Sequence, residues 1–284
     1  MRFLVLGASG MAGHTIAIYL QEQGHDVIGF ARRSLPFCNT FVGDVRDAEG
    51  LSALISNGKF DSVINCVGIL SQFAEQDKEQ AVYLNSYLPH FLSKSAKGKD
   101  TQIIHMSTDC VFSGRRGGYA EGDFRDGETF YDRTKALGEL DNDLSITLRN
   151  SIIGPDINPD GIGLLNWFMK QDTRIYGYEN VMWTGLTTLQ LAKVMEAAST
   201  EKASGLYNMV YSQPISKYDL LVLLNHYLRN DSVNVNPVGT PVSDKSLIRT
   251  NYKFKYKIPD YETMISEMSK WIKNHRALYP HYQL

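Results

Sequence analysis

A tyrosine and a lysine four residues apart are the pair in this sequence best suited to proton transfer. On a helix, the spacing of Tyr131 and Lys135 places both side chains on one face. A ketone that receives hydride needs a proton for the developing alkoxide, and the phenol of Tyr131 can donate it. A neighbouring ammonium favours the phenolate, so Lys135 is predicted to move the pKa of the phenol from about 10 toward neutral pH. The alternative is that Tyr131 is an aromatic packed in the core.

The segment before this pair supports the chemical interpretation. The pair lies near the start of a predicted helix, residues 130–140, and follows Ser107-Thr108-Asp109, which ends the predicted fifth strand. Open α/β sheets bind ligands at the carboxyl ends of their strands. Thr108 is therefore predicted to donate a hydrogen bond to the carbonyl oxygen and to stabilise the transition state. A cap at the strand end is the alternative for Thr108.

A glycine-rich segment after the first predicted strand indicates a dinucleotide site. It reads Gly7-Ala8-Ser9-Gly10-Met11-Ala12-Gly13 and opens the first predicted helix. Glycine permits positive φ and close backbone approach, and the start of a helix offers free N–H groups to a pyrophosphate. The residues predicted to bind it are Gly7, Ser9, Gly10, Met11 and Gly13. A tight turn without a ligand is the alternative, but the strand-turn-helix setting favours the dinucleotide.

The end of the second predicted strand indicates which dinucleotide is bound. An NAD site carries an acidic residue there, whereas this chain has Arg32 and Arg33. Because guanidinium groups pair with a 2′-phosphate, NADPH is predicted over NADH, with a solvated basic turn as the alternative. Asp44, followed by Val45, is a candidate to accept from the adenine amino group, and equally a turn residue. Lys135 is also a candidate to hold the nicotinamide ribose.

Alternating short apolar runs and longer amphipathic runs predict the fold that holds these residues. Parallel strands need helical crossovers, so the pattern predicts a Rossmann-type doubly wound parallel sheet in an α/β chain. The predicted strands are residues 2–6, 26–31, 39–42, 62–66, 102–106 and 146–149, and the predicted helices are residues 11–23, 47–56, 78–96 and 130–140.

The rhythm of the sequence changes after Gly154-Pro155. Turns rich in proline and glycine separate short strands from a few helices, one of which Ser216 can cap. Residues 1–154 are predicted to form the NADP-binding domain with the catalytic residues. Residues 155–284 are predicted to form mainly a smaller α+β substrate-binding region, part of which the Rossmann sheet can reuse.

Composition excludes several classes of protein. The 29 basic and 31 acidic residues are scattered, so no basic face for nucleic acid is expected. Apolar runs are too short to span a bilayer, and no secretory signal is visible, so a cytoplasmic protein without a membrane partner is predicted. Cys38, Cys66 and Cys110 lack metal-ligand spacing, and the seven histidines do not cluster with acids, so no metal is expected.

These motifs resemble those of the extended short-chain dehydrogenase/reductase superfamily, which combines a GxxGxxG loop with a Tyr-x-x-x-Lys pair. Within it, the chain is most similar to the dTDP-4-dehydrorhamnose reductase (RmlD-like) group. Residues 107–114, STDCVFSG, resemble the STDYVFxG segment of that group, and residues 131–139, YDRTKALGE, resemble its YGxTKxxGE segment. The resemblance covers residues 1–155 well and is loose beyond them.

The resemblance implies NADPH-dependent reduction of the 4-keto group of a nucleotide-linked 6-deoxyhexose. Thr108, Tyr131 and Lys135 would have the catalytic roles described above, and Asp109 would lie beside the sugar. The resemblance further implies that the cofactor is bound by Cys66, Val67 and Gly68, which close the fourth strand, and by Asn85 on the helix that follows.

Some residues depart from the pattern of the group. Cys110 replaces its tyrosine, and Ile152 stands where an aromatic is expected. Trp183 is a candidate to pack on a base or sugar of the substrate, with a place in the core as the alternative. Positions that could contact the sugar therefore differ from those of the group, so the resemblance predicts the type of reaction but not which sugar is bound.

Two other functions remain open. A 4-epimerase or 4,6-dehydratase uses the same fold and returns the hydride, although Asp109 followed by Cys110 lacks the second carboxylate that dehydratases need. A regulatory subunit would bind NADP and a partner without turnover, although it has no chemical need for Tyr131 and Lys135. By fold analogy, the face of residues 78–96 is a candidate to pair two copies as a homodimer.

Overall fold

The computed structural model describes residues 1–282 of the chain, and a seven-stranded parallel sheet forms its centre. The strands are, in chain order, β1 (Arg2–Leu6), β2 (Asp26–Ala31), β3 (Asn39–Val42), β4 (Ser62–Asn65), β5 (Gln102–Ser107), β6 (Ser145–Arg149), β7 (Ile152–Ile153), β8 (Arg174–Tyr178), β9 (Val181–Trp183), β10 (Leu186–Thr187), β11 (Gly205–Asn208), β12 (Ile215–Ser216), β13 (Asn234–Val238) and β14 (Ser243–Asp244). The order in the sheet is β11-β6-β5-β4-β1-β2-β3, with every neighbouring pair parallel. The predicted Rossmann-type doubly wound sheet is confirmed.

Helices connect the strands and cover the sheet. They are, in chain order, α1 (Met11–Glu22), α2 (Ala48–Asn57), α3 (Ser71–Gln76), α4 (Lys78–Ala81), α5 (Leu88–Ala96), α6 (Phe130–Leu137), α7 (Leu164–Met169), α8 (Thr188–Thr200), α9 (Lys217–Arg229) and α10 (Tyr261–Asn274). The predicted helix of residues 78–96 is interrupted by a π-helical turn, Val82–Tyr87, between α4 and α5. The sequence did not predict α3, because six residues are too few to show a helical period.

The alternation of side chains along β1 explains why both faces of the sheet are covered. Phe3 and Val5 lie in one buried cluster, to which α1 and α8 contribute, and Leu4 and Leu6 lie in a second cluster with α2 and α5. Successive side chains of a strand point to opposite faces. The apolar run of residues 3–6 in β1 therefore requires helices on both sides, which is the layered arrangement observed.

The sheet extends beyond residue 154. β11 pairs with β6, with Leu206 opposite Thr147, and α8 packs against α1 on one face of the sheet. The predicted division at residue 154 therefore separates two stretches of sequence but cuts through the sheet, because residues 205–208 complete it. The sequence could not place this strand, since a segment of four residues does not indicate which sheet it joins.

The remaining chain gathers at the edge where the parallel strands end. β7 follows β6 almost directly and pairs with β10, and β9 pairs with β12 and β14 in a second small sheet. These short strands bring residues 243–248 close to residues 114–119, in the segment that follows β5.

Within residues 1–282, no helix is both long enough and apolar enough to cross a bilayer.

Candidate active site

The glycine-rich loop has the tight geometry that its sequence predicts. Gly7 has a φ of +74°, a conformation that favours glycine. A Cβ atom on Gly13 would lie 2.1 Å from the Gly7 carbonyl oxygen, so only glycine lets α1 start this close to the turn. No side chain caps α1 at Gly10. The first N–H groups of α1 are therefore available to an anion.

A cleft of about 350 Å³ opens beside this loop, between the ends of β1, β2 and β4. The predicted cofactor residues that line it are Gly7, Ser9, Gly10, Arg32, Asp44, Val45, Cys66, Val67 and Gly68. Met11 and Gly13 lie in the first turn of α1, behind the loop. An uncapped helix start, a close-packed glycine turn and a nearby guanidinium fit the phosphates of a dinucleotide.

Only some of the charged residues predicted to bind the cofactor line the cleft. Arg32 lines it directly after β2, whereas Arg33 is exposed and lies outside the lining. Arg46 also lines the cleft, although the sequence did not single it out. Asp44 accepts a hydrogen bond from the backbone N–H of Arg46 at 2.9 Å, which is the turn geometry that was its alternative interpretation. The cations of the cleft are therefore Arg32 and Arg46.

Asn85 holds the loop after β4. Its amide oxygen accepts from the backbone N–H of Ile69 at 2.9 Å, and its amide nitrogen donates to the Ile69 carbonyl at 3.1 Å and to Thr134 at 3.2 Å. Asn85 lies in the π-helical turn and is fully buried. These contacts tie the loop of Gly68 to α6, so Asn85 stands behind the cleft as a support.

The ends of β5 and α6 bring the catalytic candidates together. Thr108 follows β5 directly, and Tyr131 lies in the first turn of α6, which Thr129 caps by accepting from the Asp132 N–H at 3.1 Å. Tyr131 lies close enough to Thr108 for the hydroxyl of Thr108 to lower the pKa of the phenol. The Thr108 hydroxyl donates to Asp109 Oδ1 at 3.2 Å. A hydroxyl and a phenol thus meet at the carboxyl edge of the sheet.

Lys135 is placed differently from the expectation that it lowers the pKa of Tyr131. Its ammonium donates to the Met106 carbonyl at 2.7 Å, one helical turn beyond the phenol. Burial raises the pKa of Tyr131 above its ordinary range, the charge of Cys110 adds to this, and the nearby hydroxyl of Thr108 opposes it. Burial lowers the pKa of Lys135 to about 8. The predicted direction of the Tyr131 shift was therefore wrong for the protein alone.

A buried ion pair supports the end of β5. Arg149 donates to both carboxylate oxygens of Glu139, at 2.8 Å and 2.7 Å, and Ser107 donates to Glu139 at 2.6 Å. The Arg149 side chain is 0% exposed and that of Glu139 is 3% exposed. Arg149 also donates to Asn208 in β11 at 3.1 Å. The pair thus links three neighbouring strands directly behind Thr108, a role that neither residue type reveals in the sequence.

The two candidates for substrate binding are Asp109, directly after Thr108, and Trp183 in β9. Asp109 is buried, and burial raises the pKa of its carboxyl against the charges of Lys217 and Lys245. Trp183 is buried in the main core cluster, which was the alternative to a contact with the substrate. The Lys217 ammonium nevertheless lies 5.0 Å from the centre of the Trp183 ring. The sequence singled out neither lysine. The signal for Lys217 is a cation directly after the helix cap Ser216, where a helix favours an anion.

No group of three or more histidine, cysteine or acidic side chains in residues 1–282 is placed to hold a metal ion.

Comparison with protein families matches residues 1–145 to the RmlD substrate binding domain. A Haloferax volcanii protein named probable low-salt glycan biosynthesis reductase Agl14 is 34% identical over 49% of this chain and 48% of its own length. The dTDP-4-dehydrorhamnose reductase of Mycolicibacterium smegmatis is 31% identical over 49% of this chain and 40% of its own length. The chain therefore spans less than half the length of either of these two curated relatives.

The same architecture extends over nearly the whole chain in solved structures. The dTDP-4-dehydrorhamnose reductase of Bacillus anthracis, solved in complex with NADP, superimposes with a TM-score of 0.79 over 96% of this chain and 99% of that one. At 19% identity, this likeness concerns the fold.

Proposed function

The chain belongs to the RmlD substrate-binding domain family, and on this premise we propose that it reduces the 4-keto group of a nucleotide-linked 6-deoxyhexose with NADPH, as a dTDP-4-dehydrorhamnose reductase does. The observation that carries the proposal is the meeting of Thr108, Tyr131 and Lys135 at the carboxyl edge of the sheet, beside the cleft at the glycine-rich loop. The reductases among its relatives support the same reaction class.

The residues of the chain supply what the reaction needs besides hydride. NADPH, when bound, supplies the hydride to the carbonyl carbon. Thr108 orients the carbonyl oxygen, and Tyr131 donates its proton to the alkoxide that forms. The raised pKa of Tyr131 keeps the phenol protonated at neutral pH, and an alkoxide is the stronger base. Lys135 donates to Met106 with one of three N–H bonds, which leaves donors for the ribose.

A panel of nucleotide-linked 4-keto-6-deoxyhexoses tests the proposal directly. Purified protein should oxidise one NADPH for each sugar reduced, read as loss of the reduced nicotinamide absorbance. A 4-epimerase would convert the sugar without net NADPH consumption. A regulatory subunit would bind NADPH and convert none of the sugars. Either of these results would contradict the proposed reduction.

The preference for NADPH is proposed to depend on Arg32. Arg32→Ser should lower kcat/KM for NADPH by about tenfold to hundredfold, because an ionic hydrogen bond to the 2′-phosphate is lost. The value for NADH, which lacks this phosphate, should stay within roughly twofold. Arg33→Ser is the matched control, since Arg33 adjoins Arg32 but lies outside the cleft lining. Equal losses with both cofactors would contradict this role for Arg32.

A nucleotide sugar is the substrate under this proposal. A homodimer, a cytoplasmic location and the lack of nucleic-acid or membrane partners stay predictions from the sequence.

A further inference from the structure

Lys217 lies at the start of α9, where a positively charged side chain is unfavourable for the helix. Lys217 is the first residue of this helix, and Ser216 caps it by accepting from the Asp219 N–H at 2.9 Å. The amino end of a helix carries a partial positive charge, so an ammonium there is unfavourable for the helix itself. Contacts outside α9 must therefore account for the placement of this side chain.

The Lys217 ammonium packs on Trp183 and is close enough to Asp109 for the two charges to interact. The ammonium lies 5.0 Å from the centre of the Trp183 ring, on the wall formed by β9 and α9. Asp109 and Lys217 each act on the pKa of the other: burial lowers the pKa of Lys217 to about 8, and the charge of Asp109 opposes this shift. Within residues 1–282, however, no ion pair within 4.0 Å joins them. A buried carboxyl and a half-buried ammonium of opposite charge thus lie near each other without forming an ion pair.

Two buried polar groups, one at the strand end beside Thr108 and one in the ring that Lys217 packs on, lack protein partners among residues 1–282. The β5–β6 register pairs Ser107 with Arg149, so Asn150 is level with Thr108 at the strand ends. Asn150 is 2% exposed, and neither atom of its amide has a hydrogen-bond partner among residues 1–282. The Trp183 indole nitrogen is likewise buried without a partner in this part of the chain. Buried polar groups are normally hydrogen-bonded, so the Asn150 amide and the Trp183 indole nitrogen are available to a polar ligand.

The chemistry of the facing pair specifies the ligand group. A ligand atom that contacts both groups must accept from an ammonium and donate to a carboxylate, and a hydroxyl does both. Asp109 adjoins Thr108, to which the carbonyl oxygen is assigned under the proposed function. The hydroxyl must therefore sit on a carbon next to the carbonyl carbon. In a 4-keto-6-deoxyhexose, C5 bears the methyl group and the ring oxygen, and C3 bears the hydroxyl.

We propose that Lys217 is a specificity-determining residue that, together with Asp109, binds the C3 hydroxyl of the sugar. Lys217 donates to this oxygen and Asp109 accepts its proton. The pair fixes the rotation of the sugar about the carbonyl, so that the face of C4 is set relative to the nicotinamide. This inference rests on the proposed function for the identity of the sugar.

Equilibrium binding separates this role from catalysis. The probes are the reduced product, a dTDP-linked 6-deoxyhexose, and its 3-deoxy analogue, each titrated by calorimetry into protein saturated with NADP⁺. Lys217→Met should weaken binding of the hydroxylated sugar by about tenfold to hundredfold, the effect of losing one ionic hydrogen bond. Binding of the 3-deoxy analogue should change by less than roughly threefold. Lys217→Arg, which retains a cationic donor, should recover part of the loss.

Lys255→Met is the matched control, because Lys255 is exposed and the substitution removes the same charge. Lys255→Met should bind both sugars with the same affinity as the wild-type protein. Equal weakening of both sugars by Lys217→Met, with an unchanged thermal midpoint, would assign Lys217 to the diphosphate and overturn the proposal. Unchanged binding of both would overturn it as well. The wild-type protein could bind the hydroxylated sugar more tightly than the 3-deoxy analogue and yet oxidise no NADPH. That result would contradict the proposed reduction but not the role of Lys217.

Discussion

Tyr131→Phe is expected to lower kcat by about 10²-fold to 10⁴-fold, because the alkoxide then lacks its general acid. Affinity for NADPH should remain within roughly twofold, since the phenol hydroxyl meets Thr108 and not the glycine-rich loop. Initial rates at saturating sugar measure the first quantity, and quenching of protein fluorescence on titration with NADPH measures the second. A large loss of kcat with an unchanged affinity for NADPH would identify Tyr131 as a catalytic residue.

Tyr252→Phe is the control for this change, because Tyr252 is 64% exposed and the same hydroxyl is removed. Unchanged turnover in Tyr131→Phe would remove Tyr131 from proton transfer. Parallel loss of turnover and of NADPH affinity would indicate that Tyr131 shapes the cleft instead. The proximity of Thr108 to Tyr131 predicts a related trend, since Thr108→Val should also lower kcat without weakening the binding of NADPH.

The sequence predicts the sheet well because its signals are local. β1 to β6 were each recognisable from short apolar runs, and the glycine spacing placed the start of α1. Gly13 shows why this signal is dependable: a side chain there would overlap the Gly7 carbonyl. The spacing of Tyr131 and Lys135 is equally local, so α6 was predictable from its cap onward.

Tertiary contacts account for what the sequence could not supply. The Lys135 ammonium is held by the Met106 carbonyl, and nothing in the spacing of the Tyr-Lys pair indicates this acceptor. The pKa of Tyr131 follows its burial, which depends on neighbours far along the chain. Lys217 and Asp109 are more than a hundred residues apart in the sequence, so only the folded chain shows that they face each other.

The buried pair of Glu139 and Arg149 is the clearest case in which sequence types mislead. A glutamate and an arginine are ordinarily surface residues, yet these two side chains are 3% and 0% exposed. Glu139 belongs to a segment that resembles a family motif, but its structural role comes from its partners. Burial raises its pKa, and the hydrogen bonds and charge of Arg149 outweigh this, so the net pKa of Glu139 is lowered.

Arg149→Met is expected to lower the free energy of unfolding by about 3–5 kcal/mol, because Glu139 would be left as a buried charge without its bidentate partner. The midpoint of urea unfolding and the slope of the transition measure this change. Arg125 also pairs with Glu139, but its side chain is 35% exposed, so it cannot replace a fully buried guanidinium. The substitution also removes the donor that Arg149 offers to Asn208 in β11.

The double variant Arg149→Met with Glu139→Met is the control, because it removes both charges at once. It should recover most of the stability, since methionine fills similar volume without a charge to desolvate. The pH dependence gives a second check. Because the folded-state pKa of Glu139 is lowered, its contribution is complete above the ordinary range of a glutamate and is lost as pH falls through the folded-state value. The difference between the unchanged protein and Arg149→Met should therefore shrink in acid, and a difference independent of pH would place the effect of Arg149 in its packing on Phe112 instead.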